Sequence, residues 1–196
     1  LLDVSSGDPA RFAYVARLVV ERVLPQAGLA GTDRDRTCGF CLRGTVFTAD
    51  GRTLLVARMG GGGVAGFDVA DPARARYLGT VTAVPATPRH LELSPDGRVL
   101  YASSNVAGAV SRVATADVVA ALRAAGGRRV AGPAWRSVRL GAGARTIALD
   151  PTGRVLLAAL NGSAAVVAVD AERMTELARV RVDPFAVGLA VAPDGR

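Results

Sequence analysis

Residues Arg89-His-Leu-Glu-Leu-Ser-Pro-Asp-Gly-Arg98 carry a pattern that occurs four times in this chain. An apolar or alternating strand leads into a tight turn, in which Pro presets φ and Gly supplies a positive φ, and a second strand follows. The turn glycines of the four copies stand 42 to 56 residues apart, so the chain is built from repeats of one unit. The other copies are Arg43-Gly-Thr-Val-Phe-Thr-Ala-Asp-Gly-Arg52, Arg145-Thr-Ile-Ala-Leu-Asp-Pro-Thr-Gly-Arg154 and Val187-Gly-Leu-Ala-Val-Ala-Pro-Asp-Gly-Arg196.

A second repeated segment supports this organisation independently. The stretch Asp3-Val-Ser-Ser-Gly-Asp-Pro-Ala-Arg11 parallels Asp68-Val-Ala-Asp-Pro-Ala-Arg74, and a tyrosine follows each of them, Tyr14 and Tyr77. Because the two segments differ from the turn pattern, they show that more than one part of the unit is repeated.

Each unit predicts four short strands that are apolar at nearly every position, as expected for a sheet that packs against neighbours on both faces. Four strands in ~40–45 residues are typical of a β-propeller blade. The sequence therefore predicts an all-β fold, a β-propeller built of four-stranded antiparallel blades. The longest spacing has a local cause. A short helical insertion is predicted near 117–125, with Asp117 as its N-cap and Gly126 as its end.

The segments amount to about four blades in one partial propeller, residues 1–196. A four-bladed ring closed between the last segment and the tail is one option. We expect instead that the chain is part of a seven- or eight-bladed propeller. Blades that do not close into a ring would expose apolar faces at both ends. The segments are a tail at 1–24, blades at 43–83, 89–140 and 145–183, and the start of another blade at 187–196.

Composition and charge exclude several classes of protein. Half of the residues are hydrophobic and only 21% are charged, which excludes intrinsic disorder. No apolar run reaches the ~18 residues of a membrane span. The net charge of +7 suggests nucleic-acid binding, but the arginines are scattered and aromatic residues make up only 5%, so no stacking platform is visible. We therefore expect no nucleic-acid partner.

The closest matches to a known family lie in Pro88–Tyr101, in Arg145–Leu157 and in Val166-Val-Ala-Val-Asp170. These stretches resemble the YVTN-type β-propeller repeats of bacterial and archaeal surface and periplasmic proteins, and also the related lactonase-type seven-bladed propellers. The resemblance implies the fold, whereas the family spans binding proteins, sugar-lactone hydrolases and propellers attached to redox domains. The Asn of the family's name motif is replaced here by Arg58, Ser104 and Leu160.

Three arginines occupy one position of the repeat, just before the innermost strand. In a propeller that position lies at one mouth of the central channel, so Arg43, Arg89 and Arg145 predict an anion site suited to carboxylate or phosphate. The alternative is that each arginine pairs with an acidic or carbonyl group of the adjacent blade. The fourth copy has Val187 at this place.

His90 is the only histidine and Glu92 lies two residues on, so a regular strand would point both side chains to the same face. One hypothesis makes His90 and Glu92 catalytic, activating water against a lactone carbonyl while the arginines hold an anionic substrate. The alternative makes Glu92 a salt-bridge partner of Arg43 or Arg145, and His90 a surface loop residue.

Cys38 and Cys41 are the only cysteines. Their spacing predicts a local disulfide that stiffens the loop before Arg43, with free thiols or a redox role as alternatives. A disulfide agrees with a location outside the cytoplasm. We expect no metal site, because a structural zinc normally needs four ligands and the chain offers these two and His90.

These observations favour a non-catalytic binding or scaffold propeller, periplasmic or secreted to the cell surface, with no cofactor. Its expected partner is a small anionic ligand at Arg43, Arg89, His90 and Arg145, or another protein on the same face. One alternative is a sugar-lactone hydrolase resembling 6-phosphogluconolactonase. Another is the accessory propeller of a redox protein.

Overall fold

The computed structural model describes residues 1–16, 18 and 41–195, and it consists almost entirely of antiparallel sheets. Three sheets, each containing four successive antiparallel strands, follow one another along the described chain, and we call these sets of four strands blades 1, 2 and 3. Blade 1 contains β3 (Leu42–Phe47), β4 (Thr53–Arg58), β5 (Val64–Asp68) and β6 (Arg76–Val81). Blade 2 contains β7 (Pro88–Leu93), β8 (Val99–Ser104), β9 (Ala109–Ala114) and β11 (Arg136–Arg139). Blade 3 contains β12 (Ala144–Leu149), β13 (Val155–Leu160), β14 (Ala165–Asp170) and β15 (Thr175–Arg181).

The inner strands β3, β7 and β12 lie side by side, as the blades of a propeller do. The fold class predicted from the repeats is thus confirmed. The repeated turn is also confirmed, because the same backbone hydrogen bond closes it in all four copies. In each copy the glycine N–H donates to the carbonyl three residues earlier, at 2.8 to 2.9 Å. These glycines have φ between 68° and 86°, which the other residue types rarely adopt: Gly51, Gly97, Gly153 and Gly195.

The second repeated segment also has one structure in both places. A single 3-10 turn at Pro9–Arg11 and another at Pro72–Arg74 are capped by the carboxylates of Asp8 and Asp71. Each turn joins two antiparallel strands: β1 (Leu2–Asp3) to β2 (Ala13–Tyr14), and β5 to β6 in blade 1. The tail therefore repeats the outer half of a blade.

The apolar core lies between the blades. One cluster joins Leu55 and Val64 of blade 1 to Leu91 and Leu100 of blade 2, and another joins blades 2 and 3. A third cluster, around Phe67, covers the opposite face of blade 1. Burying each such side chain contributes about 1.5–3 kcal/mol, so the packing between the sheets holds the blades together.

Helix α1 (Thr115–Ala125) is found between β9 and β11, where the insertion was predicted. Its predicted N-cap was wrong. The chain passes directly from strand to helix, with Ala114 at the cap position and no side-chain cap, and Thr115 N–H donates to the Arg98 carbonyl at 2.9 Å. The predicted end is confirmed, since Gly126 adopts the left-handed conformation with φ of 58°.

A short strand after the helix crosses to the neighbouring blade. β10 (Arg129–Val130) pairs in parallel with β6, so blade 1 has a fifth strand supplied by the insertion of blade 2. Val118 and Leu122 of the helix are fully buried in the cluster between these blades. The insertion therefore fastens blade 2 to blade 1.

The fourth copy of the pattern does not form the predicted strand over its described residues, 187–195. In the other three copies this strand pairs with the strand that follows the Gly-Arg turn. The segment instead runs beside β12, where the hydroxyl of Thr146 donates to the carbonyl of Val187. No helix within the described residues is long and apolar enough to span a membrane.

Candidate functional site

Each inner strand carries a β-bulge at the same place. The register shifts between Leu42 and Thr45, between Pro88 and Leu91, and between Ala144 and Ile147. Two inner-strand residues therefore face a single residue of the second strand, and the strand bends there. The paired residues are Arg43 with Gly44, Arg89 with His90, and Arg145 with Thr146. The bulge interrupts the regular alternation of side chains along the inner strand.

The three bulges line one open depression, which we call the arginine depression. Its volume is about 340 Å³, and Arg43, Arg89, His90 and Arg145 all contribute to it, together with Leu42 and Thr146. The structure thus brings together the four residues for which the repeat alignment predicts a ligand site. Their binding role stays a prediction.

None of the described residues that line the arginine depression is acidic, and three of them are arginines. One guanidinium N–H of Arg89 donates to the thioether sulfur of Met59 at 3.3 Å. The Arg145 side chain forms no ion pair with any carboxylate of the described residues. The alternative in which each arginine pairs with an acidic or carbonyl group of the adjacent blade is not seen for Arg145 among the described residues.

His90 reaches across to the next blade. Its Nδ1 accepts a hydrogen bond from the backbone N–H of Ile147 at 3.2 Å. In this geometry Nδ1 holds no proton, so the ring is neutral and Nε2 carries the proton. Partial burial of the ring lowers the pKa of His90 from its ordinary value of 6.5, which favours the same neutral form.

The hydroxyl of Ser103 connects the backbones of two site residues. Ser103 lies on β8 opposite the bulge of β7 and is fully buried. Its oxygen accepts the His90 backbone N–H at 3.0 Å, and its proton goes to the carbonyl of Arg145 in blade 3. Sequence reasoning missed Ser103, although the contrast with Ala57 and Ala159 at the equivalent positions was visible in the repeats.

Glu92 lies outside the arginine depression, and its predicted partnerships are absent. Neighbouring same-face residues of a strand are about 6.8 Å apart, and no hydrogen bond joins Glu92 to His90. No ion pair joins it to Arg43 or Arg145 within the described chain. Its carboxyl group instead faces the backbone N–H of Leu149, and partial burial raises its pKa above 4.5. No hydrogen bond therefore joins His90 to Glu92 in this structure, and their catalytic role stays a prediction.

Gly44 allows the first two blades to meet at the arginine depression. A Cβ at this position would lie 2.8 Å from the Cα of His90, 2.8 Å from the amide nitrogen of Leu91 and 2.9 Å from the carbonyl oxygen of Arg89. These are backbone atoms of the neighbouring bulge, and they have little room to move. A glycine is therefore required here by the close approach of two inner strands.

Cys41 directly precedes β3, and its carbonyl accepts the Met59 N–H at 3.2 Å, close to the arginine depression. Cys38 lies outside the described residues, so the disulfide stays a prediction. Within residues 1–16, 18 and 41–195, no three His, Cys, Asp or Glu side chains come together as a metal site would require.

The lowered pKa of His90 predicts a stability that depends on pH. The unfolded chain binds the proton at 6.5, above the pKa of the folded state, so stability is complete above 6.5 and falls as the pH decreases toward the folded pKa. We expect the His90→Asn variant to lose this part of the acid sensitivity, since asparagine does not titrate. Urea unfolding of both proteins at pH 7.5 and 5.5 measures the difference.

The raised pKa of Glu92 acts in the opposite direction. It destabilises the folded state as the pH rises above 4.5, and it does so equally in both proteins, so it cancels in the comparison. Equal changes in the free energy of unfolding in the wild type and the His90→Asn variant would contradict the assignment.

The comparisons with known proteins agree with the fold. No protein-family model matches the sequence, and no curated protein matches it, so the YVTN assignment rests on the quoted motifs alone. The structure is similar to a "putative 6-phosphogluconolactonase" of Bacteroides uniformis, with a TM-score of 0.64, 21% identity, and coverage of 85% of this chain and 48% of that one.

Two further solved structures are similar to the same degree. A periplasmic gluconolactonase of Pseudomonas aeruginosa has a TM-score of 0.61 at 23% identity, over 79% of this chain and 45% of that one. Hydrazine synthase of Kuenenia stuttgartiensis has a TM-score of 0.62 at 22% identity, over 84% and 44%. The chain thus spans about half the length of the structures it matches, and identities below 25% establish the fold alone.

Proposed function

We propose that this chain forms the substrate-binding part of a sugar-lactone hydrolase, with the substrate in the arginine depression. One observation carries the proposal. Three guanidinium groups from consecutive blades and one neutral imidazole line the same depression, and no acidic side chain within residues 1–16, 18 and 41–195 lines it. This constellation attracts an anionic substrate and has a hydrogen-bond donor for an ester carbonyl.

The chemistry of lactone hydrolysis suits such a site. Water adds to the ester carbonyl, the ring C–O bond breaks, and the product is a hydroxy acid that loses its proton to become a carboxylate. Negative charge therefore develops on the carbonyl oxygen in the tetrahedral intermediate and remains in the product. Guanidinium groups stabilise that charge and keep their own protons throughout the reaction.

In this proposal His90 acts as a hydrogen-bond donor, because Nε2 carries the proton while Nδ1 is occupied by Ile147. A neutral N–H aimed at the carbonyl oxygen stabilises the developing oxyanion. This role differs from the general base that the sequence hypothesis gave to His90 together with Glu92.

The similar structures support a lactonase better than a non-catalytic scaffold. Proteins named as a 6-phosphogluconolactonase and as a gluconolactonase are among them, whereas none supports the scaffold hypothesis that the sequence favoured. A periplasmic location is part of the proposal, since one of these proteins is periplasmic. A phosphorylated lactone is the proposed substrate, because arginine binds phosphate with two parallel hydrogen bonds.

The test is the substitution Arg145→Ala, assayed with gluconolactone and 6-phosphogluconolactone. Losing one charge-assisted contact removes about 1.5–3 kcal/mol of binding. We therefore expect KM for the phosphorylated lactone to rise about 10- to 100-fold, with a smaller effect on the unphosphorylated one. Arg136→Ala is the matched control, because it removes the same charge from an exposed position on β11.

The assay also separates the proposal from the scaffold hypothesis. A scaffold binds an anion through Arg145 but opens no lactone in any variant. If the wild-type protein showed no turnover of either lactone above the spontaneous rate, the proposed function would be wrong. Equal KM values for the Arg145→Ala and Arg136→Ala variants would show that the substrate binds elsewhere.

A further inference from the structure

Two hydrogen bonds from blade 2 hold the bulge of blade 3 on both sides. The Ser103 hydroxyl donates to the carbonyl of Arg145, the first bulge residue. The His90 Nδ1 accepts the N–H of Ile147, the residue that follows the bulge. Because the His90 backbone N–H also donates to the Ser103 oxygen at 3.0 Å, both bonds start from one connected group.

The corresponding contacts between blades 1 and 2 have no such polar connection. The residue equivalent to Ser103 is Ala57, and the residue equivalent to His90 is Gly44. Neither side chain can form a hydrogen bond, and there the two backbones meet directly. The hydroxyl is therefore not a general requirement of the blade, and its presence at Ser103 needs a local explanation.

We infer that Ser103 is a positioning residue, which fixes Arg145 and His90 relative to each other for the reaction. The inference rests on the proposed function. Ser103 touches neither the depression nor a substrate in it, since it acts on the backbones of the two residues that line it. The Ser103 hydroxyl accepts a hydrogen bond from β7 and donates one to β12. It therefore fixes how far the two strands are shifted along each other.

The Ser103→Ala variant tests the inference against a matched control. Ser104, the next residue of β8, is also fully buried, and its hydroxyl also donates to a backbone carbonyl, that of Pro85 at 3.0 Å. We expect Ser103→Ala to lower kcat about 10- to 100-fold, as misplacement of catalytic groups does, with a smaller change in KM. The Ser104→Ala variant should leave kcat close to the wild-type value, because its hydroxyl bonds to no residue of the arginine depression.

A measurement without turnover separates this inference from the proposed function. His90 is the only histidine, so an untagged protein gives a single set of imidazole nitrogen signals in NMR. In the wild type we expect Nδ1 to be unprotonated and the titration midpoint to lie below 6.5. In Ser103→Ala the midpoint should shift because the Ile147 contact loosens, whereas Ser104→Ala should leave it in place.

The outcomes are distinct. A shifted His90 signal in Ser103→Ala supports the positioning role even if no lactone is hydrolysed. Unchanged His90 signals in a folded Ser103→Ala protein would overturn it, as would an equal shift in Ser104→Ala. If Ser103→Ala does not fold while Ser104→Ala does, the hydroxyl is structural and the inference is again wrong.

Discussion

Replacing His90 with asparagine is expected to lower kcat for lactone hydrolysis by about 100- to 1000-fold, the usual cost of removing one oxyanion donor. The reason lies in the two ring nitrogens. The Oδ1 of asparagine is as many bonds from Cα as Nδ1 is, so it can still accept the Ile147 N–H. The N–H at the Nε2 position is lost. Steady-state hydrolysis of 6-phosphogluconolactone measures the effect, and thermal unfolding verifies the fold.

The His90→Gln variant provides the reverse control. Its amide lies near the position of Nε2, so it supplies a donor toward the carbonyl oxygen but leaves the Ile147 N–H without its partner. We expect this variant to be less stable than His90→Asn and to retain more activity. Full activity in His90→Asn would show that the ring only connects the blades and has no part in the reaction.

The second large effect concerns Gly44. We expect Gly44→Ala to destabilise the protein by about 1–3 kcal/mol, the range for one extra methyl group in a closely packed site. The atoms in its way belong to the backbone of the neighbouring bulge, 2.8 to 2.9 Å from the new Cβ. Relief requires the inner strands of blades 1 and 2 to separate, which also moves Arg43 away from Arg89. Urea unfolding measures the loss.

Gly188 offers the matched control, because it occupies the same position in the fourth copy of the pattern. A Cβ there would meet no atom within 4 Å. We expect Gly188→Ala to change the free energy of unfolding by less than about 0.5 kcal/mol, as surface substitutions usually do. Similar losses in both variants would mean that Gly44 is needed for chain flexibility and not for the approach of the two blades.

The strands were predictable from the sequence because their signals are local. The fourth strand of blade 1, Arg76–Val81, lies within the blade that the sequence predicts at 43–83. A run of apolar residues bounded by a Gly-Arg turn specifies a strand whatever lies beside it. The placement of Arg43, Arg89 and Arg145 in one site was predictable for a different reason. Residues at the same position of the repeat occupy the same place in each blade of a propeller.

The contacts between blades were not predictable in this way. The bulges shift the register without changing the residue types, so His90 and Glu92 looked like a pair on one face. The pairing of β10 with β6 joins residues about 50 positions apart through only two residues, and nothing local indicates it. The hydrogen bond from the Ile147 N–H to His90 was also not predictable, because the sequence does not show which group a backbone N–H contacts.

The crossing of β10 onto blade 1 has a consequence for the order in which the protein can mature on the ribosome. When β6 has left the exit tunnel, the sheet of blade 1 still has an open edge at its last strand. That edge is covered only after about 50 further residues, or roughly 3 to 10 seconds of synthesis. An uncovered strand edge invites pairing with other chains. Blade 1 is therefore exposed to misassembly for longer than a self-contained blade would be, and chaperone binding should concentrate on nascent chains in which β6 has left the tunnel and β10 has not.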